Sequence, residues 1–285
     1  MSLSLSPAQR DLAFLTGFTA FFLVPFFVYT ARVGLGLSKL PPPRARGSGR
    51  RLVAPLLIGY FYWLTKPLCR LAVRSGRSAS FFTALGLVGA SLTALAIATG
   101  HFALGAALLI AAGALDVMDG EVARTRGQSS ARGAFLDSTI DRVADGLIFG
   151  GAVVYYAGTL VMYAALLALI MSFVISYARS RAESLGLTGA EGLMQRGDRI
   201  ALLSIALAFS PLPAHRSEGF VAHPFYGVTA GALVLLALLN TGTAVARIVW
   251  TMRRLASARP GGRDPAPAGR RMPPPALRGQ PNQAG

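Results

Sequence analysis

The charged residues divide the chain into long apolar stretches, whose lengths predict where it crosses a membrane. A helix needs about 20 apolar residues to span a bilayer. Residues 12–31 form one uncharged stretch of this kind, and we interpret it as a retained transmembrane helix because no small-residue cleavage site follows it. Residues 78–115 are long enough for two helices that meet at a turn around Gly100-His101.

The remaining apolar stretches predict four more transmembrane helices and one shorter helix on the membrane surface. The four are expected at 134–157, at 160–182, from about Gly192 to Pro211, and at 226–249. The uncharged residues 52–65 are too few to cross a bilayer. Because Tyr60 and Trp63 lie among them, we predict an interfacial helix over 52–73. The total is seven transmembrane helices.

This pattern predicts an all-α polytopic membrane protein with five regions. They are an extra N-terminal transmembrane helix (1–38), a basic linker (39–51), an interfacial helix (52–77), a six-helix core (78–256) and a basic tail (257–285). The tail is rich in proline, glycine and arginine without apolar periodicity, so we expect it to be disordered in the cytosol.

Composition and charge favour a membrane partner over nucleic acid. The chain is 53% hydrophobic and 14% charged, whereas soluble domains are about 25% charged. Its net charge is +16, from 28 Lys+Arg against 12 Asp+Glu. With the N-terminus outside, only Arg10 and Arg216 of the basic residues lie outside, in agreement with the positive-inside rule. We therefore expect an integral protein of the plasma (inner) membrane with a cytosolic C-terminus.

Half of the 12 acidic residues lie between Asp116 and Asp145, where two predicted helices meet on the cytosolic side. Carboxylates at membrane depth are costly unless they are paired or bind metal. Asp145 and Arg142, three residues apart, are spaced for a simple salt bridge, and Glu121 is expected on the surface or beside an arginine.

The spacing of the other acids predicts a metal site. Asp116 and Asp119 share one face of the first helix, and Asp137 and Asp141 share one face of the next. Four carboxylates that face one another need cations to neutralise them. Oxygen ligands without a nearby cysteine or histidine favour magnesium, manganese or calcium over zinc. Cys69, the single cysteine, also excludes an internal disulfide.

Small residues and one arginine complete the pattern. Gly120 and Gly133 lie on the acid-bearing faces and leave room for a ligand or for close helix packing. Arg124 places a fixed cation at the cytosolic end of the first acidic helix. Metal ions and an arginine beside exposed backbone suit a phosphate-containing substrate.

The run Asp116-x2-Asp119-Gly120-x2-Ala123-Arg124-x8-Gly133-x3-Asp137-x3-Asp141 resembles the signature of the CDP-alcohol phosphatidyltransferases at every position. The resemblance covers the six helices from about Ser78 to Met252. It implies a six-helix core, typically homodimeric, that transfers a phosphatidyl group from CDP-diacylglycerol to an alcohol and releases CMP.

The resemblance also assigns roles to individual residues. Asp116, Asp119, Asp137 and Asp141 would hold two divalent cations, usually Mg²⁺, with Mn²⁺ as the alternative. Asp141 would also act as the general base. The CDP moiety would be bound by Gly120, Ala123, Arg124 and Gly133.

Four arginines suggest that the alcohol acceptor is anionic. Arg179 and Arg181 end one predicted helix, and Arg196 and Arg199 begin the next, so all four are expected near the acidic site. The stretch is similar to that of family members that use inositol phosphate, except that Gly197-Asp198 replaces an expected Pro-Glu. Positive-inside anchoring is the simpler interpretation of these arginines.

Three alternatives remain open at the level of sequence. Glycerol 3-phosphate, used in phosphatidylglycerophosphate synthesis, is the main competing acceptor because it is also anionic. Serine, or another lipid as in cardiolipin synthesis, is a weaker candidate. A divalent-cation transporter would also place acids in a membrane, but the outer halves of the helices are plain apolar and the chain has no repeated halves.

Overall fold

The computed structural model describes residue 17 and residues 24–37, 55–187, 194–210 and 226–257, and the regular structure in these ranges is helical. The basic linker 39–51, the tail beyond residue 257 and most of the first predicted span lie outside the described residues. The helices are α1 (24–34), α2 (Pro55–Arg74), α3 (Ala79–Ala98), α4 (Phe102–Thr125), α5 (Ala131–Tyr155), α6 (Leu160–Ser184), α7 (Arg196–Phe209) and α8 (Gly227–Ser257).

The predicted helix breaks at Gly100 and Gly158 are confirmed. Both glycines have left-handed backbones, with φ of 81° and 80°, a conformation that other residues rarely adopt. Gly100 separates α3 from α4, and Gly158 separates α5 from α6. The predicted helix start near Gly192 is not observed, because Met194 and Gln195 are not helical and α7 begins at Arg196. A reciprocal capping box between Gln195 and Asp198 fixes this start.

Four of the described helices, α3, α4, α6 and α8, are long and apolar enough to cross a membrane. The helix α5 has 25 residues, but its first half carries the acidic motif, and the described α7 has only 14 residues. The count of seven transmembrane helices therefore stays a prediction. Large apolar side chains such as Leu160 and Phe173 are exposed on α6, as expected of a surface that faces lipid tails.

The helix α3 packs against both α4 and α5, which gives one group, and α6 packs against α8. The helix α7 contacts both α4 and α8, and α5 contacts α6, so the two groups form one bundle. Gly151 makes the α3–α5 contact possible, since a Cβ atom there would collide with the backbone carbonyl of Ala94. Small residues permit this close approach in membrane helices.

An aromatic cluster and the acidic residues occupy opposite ends of the bundle. The rings of Phe102, at the start of α4, and Tyr226, beside the start of α8, have centroids 4.5 Å apart. The ring of Tyr155, at the end of α5, lies 4.7 Å from that of Phe102. The acidic residues lie in the last turns of α4 and the first turns of α5, so the antiparallel helices place them at the other end.

Two polar side chains of α8 cross-link it to α6. The Nδ2 atom of Asn240 donates to the carbonyl of Ala168, and Nη1 of Arg247 donates to the carbonyl of Ile175, both at 3.0 Å. The two donors on α8 are seven residues apart, and so are the two acceptors on α6, a spacing of about two helical turns. Such hydrogen bonds stabilise helix pairs in membranes.

Candidate active site at the α4–α5 junction

The two acidic helices are joined by a short loop with a defined helix start. The helix α4 ends at Thr125, and Ser130 caps α5 by accepting a hydrogen bond from the backbone N–H of Gly133 at 3.1 Å. A side-chain oxygen at this position satisfies a free N–H of the first turn. This cap fixes where α5 begins, and hence the direction in which its aspartates point.

Three of the predicted aspartates converge as the spacing indicates. Carboxylate oxygens of Asp116, Asp119 and Asp137 lie within 4.8 Å of one another. Asp119 is buried, and its Oδ2 accepts a hydrogen bond from the Thr83 hydroxyl of α3 at 2.8 Å. The donors are all hard oxygens, the ligand type that Mg²⁺ and Mn²⁺ prefer. The cluster therefore fits a divalent-cation site, with Thr83 orienting one of its ligands.

Asp141 lies outside this group of three. Its Oδ1 is 2.7 Å from Nη1 of Arg196, and the same nitrogen is 3.5 Å from Oδ1 of Asp116. Asp141 thus borders the acidic cluster and contacts a cation from α7. Its roles as a fourth metal ligand and as the general base stay predictions.

A buried carboxylate holds the two arginines of α7. Oδ1 of Asp145 accepts from Nε of Arg196 at 3.1 Å, and Oδ2 accepts from Nη2 of Arg199 at 3.0 Å. Asp145 and Arg199 are both nearly inaccessible to solvent. The prediction of a salt bridge between Asp145 and Arg142 is wrong, because Arg142 donates instead to the backbone carbonyl of Ser138 at 2.7 Å.

The four predicted acceptor arginines divide into two pairs. Arg196 and Arg199 reach the acidic site through Asp145. Arg179 instead pairs with Glu183 one turn away, at 2.9 Å on an exposed surface. Arg181 is also exposed, and the described residues give it no ion pair. Among the described residues, only the α7 pair forms ion pairs with the aspartates of the site, and the acceptor roles of Arg179 and Arg181 stay predictions.

Gly120 and Arg124 of the signature lie on α4 close in sequence to Asp119, and Gly133 lies one turn before Asp137 on α5. The guanidinium of Arg124 lies over Gly120, where a Cβ atom would be 3.1 Å from Nη1. Arg124 also forms the expected ion pair with Glu121, at 2.9 Å. Gly133 is exposed in the first turn of α5, and Ala123 is half-buried.

Sequence reasoning missed two residues of this site, Thr83 and Asp145. Thr83 gives no local signal, because its role depends on the packing of α3 against α4. Asp145 does have one: with Asp137 and Asp141 it continues a four-residue repeat along one face of α5. The only cysteine, Cys69, is buried on α2, and burial raises the pKa of its thiol.

Residues 77–239 match the family model of the CDP-alcohol phosphatidyltransferases, and this match includes the whole acidic motif. The chain belongs to this family. It is accordingly a phosphotransferase of phospholipid biosynthesis and an integral membrane protein, in agreement with its four apolar helices.

Two relatives align with this chain over most of their own length. The archaetidylinositol phosphate synthase of Methanothermobacter thermautotrophicus is 36% identical over 185 residues, 65% of this chain and 88% of that protein. The phosphatidylinositol phosphate synthase of Streptomyces avermitilis is 33% identical over 217 residues, 74% of this chain and 86% of that protein.

Crystal structures of the Mycobacterium tuberculosis phosphatidylinositol phosphate synthase share the fold. The alignment with the CDP-DAG-bound structure has a TM-score of 0.58 and 31% identity, and it covers 70% of this chain and 96% of the mycobacterial chain. The structure with manganese and citrate has the same TM-score and identity and covers 92% of that chain. The manganese in this relative agrees with a divalent-cation site in the family.

Proposed function

We propose that this enzyme transfers the phosphatidyl group of CDP-diacylglycerol to inositol phosphate and releases CMP. The observation that carries the proposal is the position of Arg196 and Arg199, which Asp145 holds beside the aspartate cluster. An anionic acceptor can thus be bound next to the phosphates under attack. The names of the relatives from Streptomyces avermitilis and Mycobacterium tuberculosis support the same acceptor.

The aspartates supply the site for cations. Asp116, Asp119 and Asp137 hold the divalent ions, with Asp141 as a further ligand. When bound, the cations neutralise the negative charge on the pyrophosphate. The aspartates themselves fix the position of the cations at the cytosolic ends of α4 and α5, where a lipid head group can enter from the bilayer.

The reaction is a displacement at phosphorus. The acceptor hydroxyl oxygen bonds to the phosphorus that carries diacylglycerol, and the bond from this phosphorus to the bridging oxygen of CMP breaks. Asp141 takes the hydroxyl proton, which requires hydrogen-bond distance from the acceptor. Gly120, Ala123, Arg124 and Gly133 bind the CDP moiety, with Arg124 as the cation that faces its phosphates.

The same proposal includes orientation and assembly. The N-terminus lies outside and the active site faces the cytosol, because this arrangement keeps nearly all basic residues inside. The enzyme acts as a homodimer, as the family resemblance implies. The soluble acceptor and CMP then exchange with the cytosol while the acyl chains stay in the bilayer.

The test is a comparison of acceptors with purified enzyme. CDP-diacylglycerol and Mg²⁺ are supplied with inositol phosphate, glycerol 3-phosphate, inositol or serine in turn, and CMP release is measured. We expect release with inositol phosphate well above the other three. Inositol is the matched control, because it has the same ring without the phosphate. Faster turnover with glycerol 3-phosphate would identify a phosphatidylglycerophosphate synthase, and no CMP release with any acceptor would contradict the proposal.

A further inference from the structure

Arg126, in the turn that follows α4, is a cation that the proposed mechanism does not use. Its Nη1 atom donates to the carbonyl of Arg77 at 2.8 Å, and its Nη2 atom donates to the carbonyl of Val73. Val73 lies in the last turn of α2, and Arg77 lies just before α3. Among the described residues, no carboxylate forms an ion pair with Arg126. Its guanidinium therefore ties the end of α4 to both sides of the α2–α3 turn.

Arg126 satisfies backbone carbonyls that the helices leave free. The last carbonyls of an α-helix have no partner within the helix, and a cation near them is favourable. At the end of α2, the Ser75 hydroxyl donates to the carbonyl of Ala72 at 2.7 Å. Arg126 binds the next carbonyl, that of Val73, and its second donor group reaches the carbonyl of Arg77. The rigid fork of a guanidinium suits this double contact, which the single ammonium of a lysine would not reproduce.

Two contacts lead from Arg126 along the α3–α4 interface to the acidic cluster. Nearest to it, Val122 of α4 and Phe82 of α3 are buried in one apolar cluster. Next along the interface, Oδ2 of Asp119 accepts the hydrogen bond of the Thr83 hydroxyl. Arg126 and Asp119 are seven residues apart, which is about two helical turns, so both lie on the side of α4 that faces α3. Arg126 thus closes the end of the interface that holds this hydrogen bond.

We propose that Arg126 is a positioning residue for the divalent-cation site, because it keeps α3 and α4 at the separation that the Thr83–Asp119 hydrogen bond requires. The inference rests on the proposed function in that Asp119 is taken as a metal ligand. The turn at Gly100 joins the two helices at the opposite end, so noncovalent contacts hold them together at the acidic end. Mg²⁺ accepts only a narrow range of ligand geometry, with distances of about 2.0–2.1 Å. A small shift of Asp119 would therefore weaken cation binding.

Arg126→Gln tests the proposal, because glutamine can keep one donor for the turn but loses the second donor and the charge. The readout is the rise in the melting temperature of the purified enzyme in detergent as Mn²⁺ is added, which requires no turnover. We expect the Mn²⁺ concentration for a half-maximal rise to increase by about three- to tenfold, no more than the weakest effect typical of a residue that contacts a metal ligand directly. The matched control is Arg74→Gln, which removes an exposed cation at the end of α2. It should leave this concentration unchanged.

A double variant distinguishes positioning of the site from a general loss of stability. If Arg126 acts through the Thr83–Asp119 hydrogen bond, Arg126→Gln should add little once Thr83→Ala has removed that bond, because effects within one network are not additive. We expect the double variant to need nearly the same Mn²⁺ concentration as Thr83→Ala alone, while its melting temperature without Mn²⁺ falls further. Arg126→Lys keeps the charge and one donor and should show a smaller increase than Arg126→Gln. It replaces Arg126→Gln in these measurements if that variant does not fold.

Asp119→Asn separates failure of this inference from failure of the proposed function. An unchanged Mn²⁺ concentration in Asp119→Asn would remove Asp119 from the proposed cation site and overturn both. If Asp119→Asn weakens Mn²⁺ binding while Arg126→Gln behaves as Arg74→Gln does, only the positioning role of Arg126 is overturned. Additive effects of Thr83→Ala and Arg126→Gln on the Mn²⁺ concentration would overturn it as well, since Arg126 would then act independently of Thr83.

Discussion

Asp145 and Arg199 form a buried ion pair, with Oδ2 of the aspartate 3.0 Å from Nη2 of the arginine. The other oxygen of Asp145 binds Arg196, so a single carboxylate of α5 positions two cations of α7. The pair links the acidic helix to the helix that we propose binds the acceptor. Asp145 is not one of the three clustered aspartates, and we expect it to act through the arginines.

Asp145→Asn should therefore affect both stability and acceptor binding. Removing one partner of a buried ion pair costs about 3–5 kcal/mol, and the freed arginines lose their orientation. We expect a lower melting temperature and a larger rise in the KM for the acceptor than in that for CDP-diacylglycerol. The control is Glu183→Gln, which breaks an exposed pair that contributes about 0–1 kcal/mol. Equal effects of the two substitutions would contradict the positioning role.

Thr83→Ala should weaken the response of the enzyme to Mg²⁺. The threonine hydroxyl orients Asp119, and loss of such a partner typically costs about 10–100-fold in metal affinity or activity. The measurement is the Mg²⁺ concentration that gives half-maximal CMP release. Thr83→Ser retains the hydroxyl and should respond nearly as the wild type does. An unchanged Mg²⁺ requirement in Thr83→Ala would separate Asp119 from the metal site.

Asp141→Asn should abolish turnover while nucleotide binding persists. A general base contributes about 10²–10⁴-fold to the rate, and asparagine cannot accept the hydroxyl proton. Turnover is measured by CMP release at saturating acceptor, and binding by protection of the variant against thermal unfolding by CDP-diacylglycerol. Normal turnover in this variant would remove Asp141 from the role of base.

Gly151→Ala should destabilise the bundle without a direct effect on chemistry. The new Cβ atom would collide with the backbone carbonyl of Ala94, so α3 and α5 would have to separate. Overpacking of this kind costs about 1–3 kcal/mol. Gly150→Ala is the matched control one residue away, since a Cβ there meets nothing within 4 Å. Thermal unfolding in detergent should distinguish the two variants, and equal stability would contradict the close α3–α5 contact.

The sequence predicts the parts of this enzyme that depend on local spacing. The aspartates of α4 and α5 share helix faces because of the 3.6-residue period, and the breaks at Gly100 and Gly158 follow from glycine chemistry. The partners of Asp145 could not be found in the same way. Arg196 and Arg199 are more than 50 residues away in sequence, and only the packing of α7 brings them to α5.

The same dependence on packing explains why Arg179 and Arg196 have different ion-pair partners. Both were expected at the site, because both lie at predicted helix ends on the cytosolic side. The choice depends on which way a helix is rotated in the bundle. On α6, Arg179 is exposed and pairs with Glu183 of the same helix, whereas Arg196, in the first turn of α7, pairs with Asp141 and Asp145 of α5.

The Ser130 cap has a consequence for which insertions the chain can tolerate. Loop residues before Ser130 can change in number while α5 still starts at the same point relative to its aspartates. An extra residue between the cap and Asp137 would instead rotate Asp137, Asp141 and Asp145 by about 100° around the helix axis. All three carboxylates would then face away from α4 and α7. The constant gaps of the signature after Gly133 thus preserve the angular direction of each carboxylate.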